Sequence, residues 1–373
     1  MKRYAWIPAA LGCLFAISHP SRGTAAASPR ATQEGGIFIA TRGDNQVARL
    51  SQNSSAVRWR ETAGISNIAI AALPQRESVF VLGAGSKTIE HRRTSDGFRL
   101  GSINIDPRFG EQTTLTAMAA SEISDEVYVG IFVESLGMGA VVRLPMDGTQ
   151  QTLKVDWRGR PDRPWKPTQL VVDPLNGDLF MRAEGERTIA VTRASGTTLS
   201  FSGDICDVGP IAIKPGRVLV ACFDSTGMER KVRALASDSL SIFTGGVPFP
   251  GSPVAITYDQ ERDITYVVSE DPGTPASPHY LTRFRAPSLY NLVNLPEAGA
   301  GIAVDTISGD VYVAFSTLNP TTTVDKIYVP DFDAALPAAK REYLGLGSII
   351  GAIYASPVLQ TPTTDTIFSN GFD

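Results

Sequence analysis

The stretch from Pro167 to Met181 reads PTQLVVDPLNGDLFM, with an apolar segment on each side of a polar turn. The first apolar segment ends at Val172, and the second is Leu179 to Met181. Between them, Asp173 to Asp178 (DPLNGD) contains the Pro, Asn and Gly residues that favour tight turns. Short apolar runs bounded by turn residues predict two β-strands joined as a hairpin. This hairpin decides the fold, because the same unit returns along the chain.

The unit of strand, turn and strand occurs at six places in the chain. They are Asn67 to Val81, Leu115 to Val129, Pro167 to Met181, Val208 to Val220, Pro253 to Val267 and Gly299 to Val313. Corresponding residues of the second strand recur at intervals of 39 to 52 residues, and a third and a fourth apolar segment follow most units. Such a period is typical of the four-stranded blades of a β-propeller.

The two ends of the chain complete the repeat. Gly36 to Ala40 (GIFIA) has the pattern of a second strand, but no first strand precedes it. Ser348 to Leu359 (SIIGAIYASPVL) has the pattern of a first strand, and no second strand follows it. Pairing these two segments would leave no open sheet edge between the first and last blades. We therefore predict an all-β chain forming a seven-bladed β-propeller of four-stranded antiparallel blades, closed by the C-terminal strand completing the N-terminal blade.

Two segments are expected to be loops. Asp331 to Arg341 (DFDAALPAAKR) has Pro337 in its middle, which argues against a helix. His279 follows a run rich in proline, Pro272 to Pro278, and is expected to be a solvated loop residue.

The repeat also resembles a known group of propellers. Thr41 to Val47 (TRGDNQV), preceded by the strand IFIA, is similar to the repeat of YVTN-type propellers. Val171 to Phe180 (VVDPLNGDLF) is similar to the hairpin shared by YVTN, NHL and lactonase-like propellers. The resemblance covers residues 35–359 and implies the fold and an exported protein, but not an activity.

The charge pattern argues against a nucleic-acid partner. The chain has 34 Lys and Arg residues against 38 Asp and Glu residues, and its basic residues are scattered rather than clustered. Proteins that bind nucleic acids neutralise phosphates with clustered basic side chains.

The N-terminus has the features of an export signal. Lys2 and Arg3 precede an apolar run from Tyr4 to Ile17, and Ala25 to Ala27 supplies the small residues of a cleavage site. This run is too short for a membrane span, which needs roughly 20 apolar residues, and no later segment approaches one. We predict a signal peptide over residues 1–27, a linker over 28–34, the propeller over 35–359 and a tail over 360–373.

The tail ends in Thr366 to Asp373 (TIFSNGFD), which resembles the IFxxGF[DE] ending of many exported proteins of some Gram-negative bacteria. The resemblance implies a sorting or processing signal, and a frayed terminus is the alternative. We expect an exported monomer in the periplasm, on the outer surface or secreted from a Gram-negative bacterium.

Cys206 and Cys222 are the two cysteines left after removal of the signal peptide. They flank a predicted hairpin of Val208 to Lys214 and Val218 to Phe223, at the same end of its ladder. A disulfide is plausible there, since bridged Cα atoms lie within about 7 Å and exported proteins meet an oxidising environment. Two buried thiols are the alternative.

The expected ligand site is on one face of the propeller. Loops from the second to the third strand and loops between blades project from the same face, around the central channel. The side chains chosen from the first set of loops are Arg42, Asp44, Asn45, Glu134, Glu186, Asp224 and Glu270. Several are carboxylates, the ligands that Ca²⁺ and other hard divalent cations prefer.

Three functions remain open. The first is an exported propeller that acts as a binding module for a protein, a glycan or a small molecule. The second is a hydrolase of the lactonase kind that depends on a divalent cation, which needs three or more carboxylate oxygens near one point and an open position for water. The third is a structural surface protein retained through its tail. No nucleophile, zinc or phosphate-binding motif occurs, so whether the chain is an enzyme stays undecided.

Overall fold

The structure is a computed structural model of the chain. It describes residues 36–64, 66–83, 87–109, 113–156, 165–196, 199–223, 230–243, 245–271, 278–285, 288–315, 327–332, 338–343, 346 and 350–356. The predicted signal peptide, linker and tail lie outside the described residues. No helix among the described residues has the length and hydrophobicity needed to cross a membrane.

The described chain forms seven antiparallel sheets of four strands, confirming the predicted seven-bladed β-propeller. Blade 1 contains β1 (Gly36–Thr41), β2 (Gln46–Leu50), β3 (Val57–Thr62) and β28 (Ile350–Ser356). Blade 2 contains β4 (Asn67–Leu73), β5 (Ser78–Gly83), β6 (Thr88–Arg93) and β7 (Arg99–Asn104). Blade 3 contains β8 (Thr113–Ser121), β9 (Glu126–Val133), β10 (Met138–Pro145) and β11 (Thr152–Asp156).

The other four blades have the same order. Blade 4 contains β12 (Pro167–Val172), β13 (Leu179–Ala183), β14 (Ala190–Thr192) and β15 (Leu199–Phe201). Blade 5 contains β16 (Asp207–Lys214), β17 (Arg217–Phe223), β18 (Arg230–Ala236) and β19 (Val247–Pro248). Blade 6 contains β20 (Ser252–Asp259), β21 (Ile264–Glu270), β22 (His279–Arg285) and β23 (Ser288–Leu295). Blade 7 contains β24 (Gly299–Val304), β25 (Val311–Phe315), β26 (Ile327–Asp331) and β27 (Ala338–Tyr343).

The ring closes as the sequence predicts. β28 pairs antiparallel with β1, with Ile353 opposite Ile39 and Tyr354 opposite Phe38. The inner strands, which begin each blade, are β28, β4, β8, β12, β16, β20 and β24, and they line the central channel. Single-turn 3₁₀ helices lie at Pro74–Arg76, Pro107–Phe109 and Glu134–Leu136.

The hydrophobic core lies between the blades. The described residues form seven clusters of buried side chains, and each cluster joins two neighbouring blades. Strands that are buried on both faces explain the short, nearly continuous apolar runs of the sequence, such as Ser78–Gly83. Since each blade buries its faces only against its neighbours, no blade has a core of its own.

Polar side chains also connect neighbouring blades, on the face formed by the turns between first and second strands and between third and fourth strands. Each of these side chains donates to a backbone carbonyl of the next blade. The bonds are Trp59 Nε1 to Thr94 (3.0 Å), Lys154 Nζ to Arg193 (2.8 Å), Arg193 Nη1 to Ser237 (3.0 Å), Arg262 Nη1 to Thr306 (2.9 Å), and the Tyr343 hydroxyl to Ser51.

The cysteine prediction is confirmed. Cys206 and Cys222 form a disulfide with a Cα–Cα distance of 5.7 Å. The bond attaches the segment just before β16 to β17 beside it, because Val208 lies opposite Cys222 in the ladder.

Two loop expectations were wrong. Ala338–Tyr343 is the outer strand of blade 7 although its first residues fall within the expected loop. Its exposed residues Ala338 to Lys340 lack the apolar pattern of a buried strand, and pairing with β26 determines its conformation. His279 begins β22 and is half-buried, because it pairs with Glu270 on one side and Leu295 on the other.

Candidate functional site

The candidate face is the end of the propeller that carries the loops from second to third strands. In blades 1, 3 and 4 these loops hold the predicted site residues Arg42, Asp44, Asn45, Glu134 and Glu186, and in blade 6 Glu270 is the last residue of β21, just before the loop. Asp224 lies outside the described residues. The topology therefore places the described members of the set on one face, but on four separate blades.

Two of the three candidates in blade 1 have structural roles in the loop between β1 and β2. The Asp44 carboxylate accepts a hydrogen bond from the Thr41 hydroxyl. Asn45 has a positive φ of 56°, and its Oδ1 accepts a hydrogen bond from the backbone N–H of Ser66 at 2.7 Å. These contacts shape the turn and connect it to blade 2, while Arg42 is exposed to solvent.

The remaining described candidates are acidic. Glu134 begins a 3₁₀ turn and is exposed, whereas Glu186 and Glu270 are half-buried. Glu270 lies opposite His279 in the β21–β22 ladder, and the His279 Nδ1 atom is buried without a hydrogen-bond partner in the described structure.

A cation site would need several of these carboxylates together. Within the described part of the chain, no group of three or more His, Cys, Asp or Glu side chains is arranged to hold a metal ion. The described residues thus do not supply the oxygen cluster that the hydrolase hypothesis requires.

The channel along the propeller axis has a volume of about 600 Å³. Its wall consists of the inner strands, and each inner strand is the free edge of its sheet. An edge strand has unpaired backbone N–H and C=O groups, so the wall combines these polar groups with the side chains of the strands. At one level every blade contributes an aliphatic side chain: Ile70, Met118, Leu170, Ile211, Ile256, Ile302 and Ile353.

All seven inner strands have an irregular register at the same point, just before this aliphatic level. A bulge bends a strand and redirects a side chain, and bulges are common beside functional sites. The shared bulge lies in the half of the channel nearer the candidate face, because each inner strand enters from that face.

Blade 4 departs from the other blades next to its bulge. Gln169 on β12 lies opposite Arg182 on β13. The corresponding pairs in five other blades are Ala352 with Ala40, Ala69 with Leu82, Ala117 with Gly130, Ala255 with Val268, and Gly301 with Ala314. A long amide and a guanidinium therefore occupy a level that is otherwise made of small and apolar residues.

The bulged backbone of blade 5 receives these two side chains. The Gln169 Nε2 atom donates to the Ile211 carbonyl at 2.8 Å, and the Ile211 N–H donates to Gln169 Oε1 at 2.9 Å. Arg182 Nε donates to the Val208 carbonyl at 2.8 Å. Val208 and Ile211 flank the two-residue bulge Gly209-Pro210, where a Cβ on Gly209 would lie 2.4 Å from the Ala221 carbonyl oxygen.

Arg182 is the only charged residue among the described residues that line the channel. Burial lowers the pKa of its guanidinium, and the Glu184 carboxylate partly opposes that effect. Glu184 pairs with Lys166 at 3.1 Å, and no described carboxylate forms an ion pair with Arg182. Across the ring, Tyr354 of blade 1 also lines the channel, and burial raises the pKa of its phenol.

Sequence reasoning did not find Gln169 and Arg182. Along their strands both look like ordinary polar residues that alternate with apolar ones. The available signal was the alignment of the six repeats, in which Gln169 stands where the other units carry Ala, Gly or Pro.

Comparisons with known proteins give the fold alone. No known protein family matches the sequence. No curated protein matches it either. Solved structures do match, including a protein of unknown function from Desulfotomaculum acetoxidans, with 11% identity, a TM-score of 0.63, and coverage of 87% of this chain and 100% of that chain.

Two further matches carry different descriptions. A candidate 6-phosphogluconolactonase from Bacteroides uniformis is 11% identical, with a TM-score of 0.59 and coverage of 87% of this chain and 99% of that chain. The RRP9 WD40 repeats are 10% identical, with a TM-score of 0.57 and coverage of 77% of this chain and 86% of that chain. At such low identity the matches support the propeller fold but no shared activity.

Proposed function

We propose that this protein is an exported binding module whose ligand enters the central channel from the candidate face. The single observation that carries the proposal is the channel itself, which offers about 600 Å³ of space lined by aliphatic side chains and free strand edges. Sites for small molecules are concave, largely apolar, contain a few placed polar groups, and have volumes of about 300 to 1,000 Å³.

The surroundings of the channel fit this role. The pairing of β28 with β1 and the polar links between blades hold the walls in place, so little order has to be created on binding. Loop residues such as Arg42 and Glu134 would then select what approaches the mouth. The disulfide and the predicted signal peptide favour an oxidising compartment outside the cytoplasm.

Blocking the channel tests the proposal. Ala255 lines the channel, so Ala255→Phe should fill part of it, whereas Ala56→Phe adds the same ring at an exposed turn. We expect the mature protein to bind a neutral apolar dye, N-phenyl-1-naphthylamine, with binding lost in Ala255→Phe and kept in Ala56→Phe. Equal binding by all three proteins would place the dye outside the channel and contradict the proposal. Failure of the wild type to bind the dye would also contradict it.

A further inference from the structure

The polar pair of blade 4 is the clearest exception in the channel wall. The register of β12 and β13 directs Gln169 and Arg182 to the same face of the blade, toward blade 5. Five other blades place only small or apolar pairs at this level. A departure from the repeated pattern at a single place in a cavity indicates that these particular side chains are needed at that place.

A structural role explains one member of the pair, Gln169. β16 is the free inner edge of its sheet, and Gln169 satisfies both the N–H and the C=O of Ile211 on that edge. Gln169 therefore connects β12 to β16 and supplies hydrogen-bond partners to backbone groups of an edge strand.

This structural role does not require a charge at residue 182. One hydrogen bond to the Val208 carbonyl could come from a neutral donor, yet the residue is a half-buried arginine beside apolar side chains. Removing a cation from water is costly unless an anion or several acceptors compensate. Among the described residues, the nearby carboxylate of Glu184 offsets only part of the effect of burial on Arg182, and its ion pair is with Lys166.

We propose that Arg182, held in place by Val208 and flanked by Gln169, binds the carboxylate of a small organic ligand in the channel. Nε is already used, and the guanidinium has further N–H donors that suit a planar carboxylate. A single guanidinium balances one negative charge, which favours a monocarboxylate over a doubly charged phosphate monoester. Free edge groups and the aliphatic level would contact the rest of the ligand.

This inference rests on the proposed binding function, and matched ligand pairs separate the two. The probes are carboxylic acids of increasing size, from acetate to 2-naphthylacetate, each compared with its carboxamide by calorimetry on the mature protein. We expect the best acid to bind about tenfold or more tightly than its amide, as for a hydrogen bond to a charged group.

Variants locate the effect. Arg182→Gln should abolish the preference for the acid, and Arg182→Lys should keep part of it because the charge remains. Arg58→Gln, at an exposed position of the outer strand β3, should match the wild type. If Arg182→Gln does not fold, the comparison of acid and amide in the wild type and in Arg182→Lys still decides the question.

The outcomes are distinct. Equal affinity for an acid and its amide would overturn this inference without contradicting the proposed binding function. An acid preference of the same size in Arg182→Gln would have the same consequence. Failure of every acid and amide to bind, together with failure of the neutral dye, would overturn both.

Discussion

Ile39 on β1 lies directly opposite Ile353 on β28, so the first blade is built from both ends of the described chain. Ile39 is fully buried and packs in a cluster that joins blade 1 to blade 7. The ring therefore depends on a pairing that forms only when nearly the whole chain is present.

Ending the chain before Ile350 should prevent stable folding. The truncation removes β28 and exposes Ile37 and Ile39, each of which contributes about 1.5 to 3 kcal/mol by its burial. The matched control ends after Leu359 and keeps β28 whole. We expect the first truncation to lose its cooperative thermal transition and the second to melt like the wild type. A normal transition without β28 would show that closure is dispensable.

Removing the disulfide should weaken folding without changing the fold. The bond closes a loop between residues 16 positions apart, and loops of that size are stabilised by about 3 kcal/mol. Cys206→Ser with Cys222→Ser should lower the free energy of unfolding by about that amount in urea titrations. The double variant should be insensitive to reductant, while the wild type should fall to the level of the variant. Equal stability of oxidised and reduced wild type would contradict this prediction.

His91 should make stability depend on pH. Burial, and then the positive charge of Arg76, lowers the pKa of His91 below its ordinary value of 6.5. Its ring stacks on Phe80 with centroids 4.7 Å apart, and its Nε2 lies 2.8 Å from the Ser78 hydroxyl. The unfolded chain binds the proton more readily than the folded chain does. Neutral His91 therefore makes its full contribution to the free energy of unfolding above about pH 6.5, and this contribution is lost as the pH falls through the lowered pKa.

The test compares wild type with His91→Gln by melting temperature at about pH 7 and about pH 5, on either side of the ordinary histidine pKa. We expect acidification to lower the melting temperature of His91→Gln less than that of the wild type. Ser78→Ala, which keeps the histidine, should retain the larger decrease. Identical decreases in wild type and His91→Gln would exclude His91 as the cause.

Gln169 should stabilise the junction of blades 4 and 5. Gln169→Leu preserves bulk but leaves the N–H and C=O of Ile211 without their side-chain partner. We expect a loss of about 1 to 3 kcal/mol in the free energy of unfolding, measured in urea. Gln52→Leu, in the turn after β2, is the control and should change stability little. A neutral effect of Gln169→Leu would mean that water in the channel replaces the amide.

Chelation should leave the melting temperature unchanged. The Asp44 carboxylate and the Asn45 side chain are engaged in the β1–β2 loop, and Glu134, Glu186 and Glu270 lie on different blades. Elemental analysis of the mature protein before and after treatment with a chelator supplies the check. Stoichiometric calcium whose removal lowers the melting temperature would favour the hydrolase instead, and a screen with esters and lactones would follow.

Much of the fold was predictable because propeller blades carry local signals. The hairpin Pro167 to Met181 and its relatives contain their own turn residues, and the unmatched strands at the two ends imply closure. The outer strand Ala338–Tyr343 was missed because its exposed residues lack an apolar pattern. Such a strand takes its conformation from hydrogen bonds to β26 rather than from burial.

From the sequence, the candidate site could be predicted only as one face of the propeller and not as a set of contacting side chains. Loop order places Arg42, Glu134 and Glu270 at the same end of their blades, but it does not specify which side chains reach the channel. Asp44 and Asn45 looked like ligand residues, and in the structure they also make the turn contacts of their loop.

By itself, the sequence determined the blade repeat and the closure of the ring, since both follow from the pattern of apolar strands and turns along the chain. It made a disulfide between Cys206 and Cys222 plausible, and the structure decided between that bond and two buried thiols. Only the tertiary structure decided that Arg182 and Gln169 meet the bulge of β16 at the channel wall. These contacts depend on how blades 4 and 5 pack against each other, and the spacing of residues along a single strand does not predict that packing.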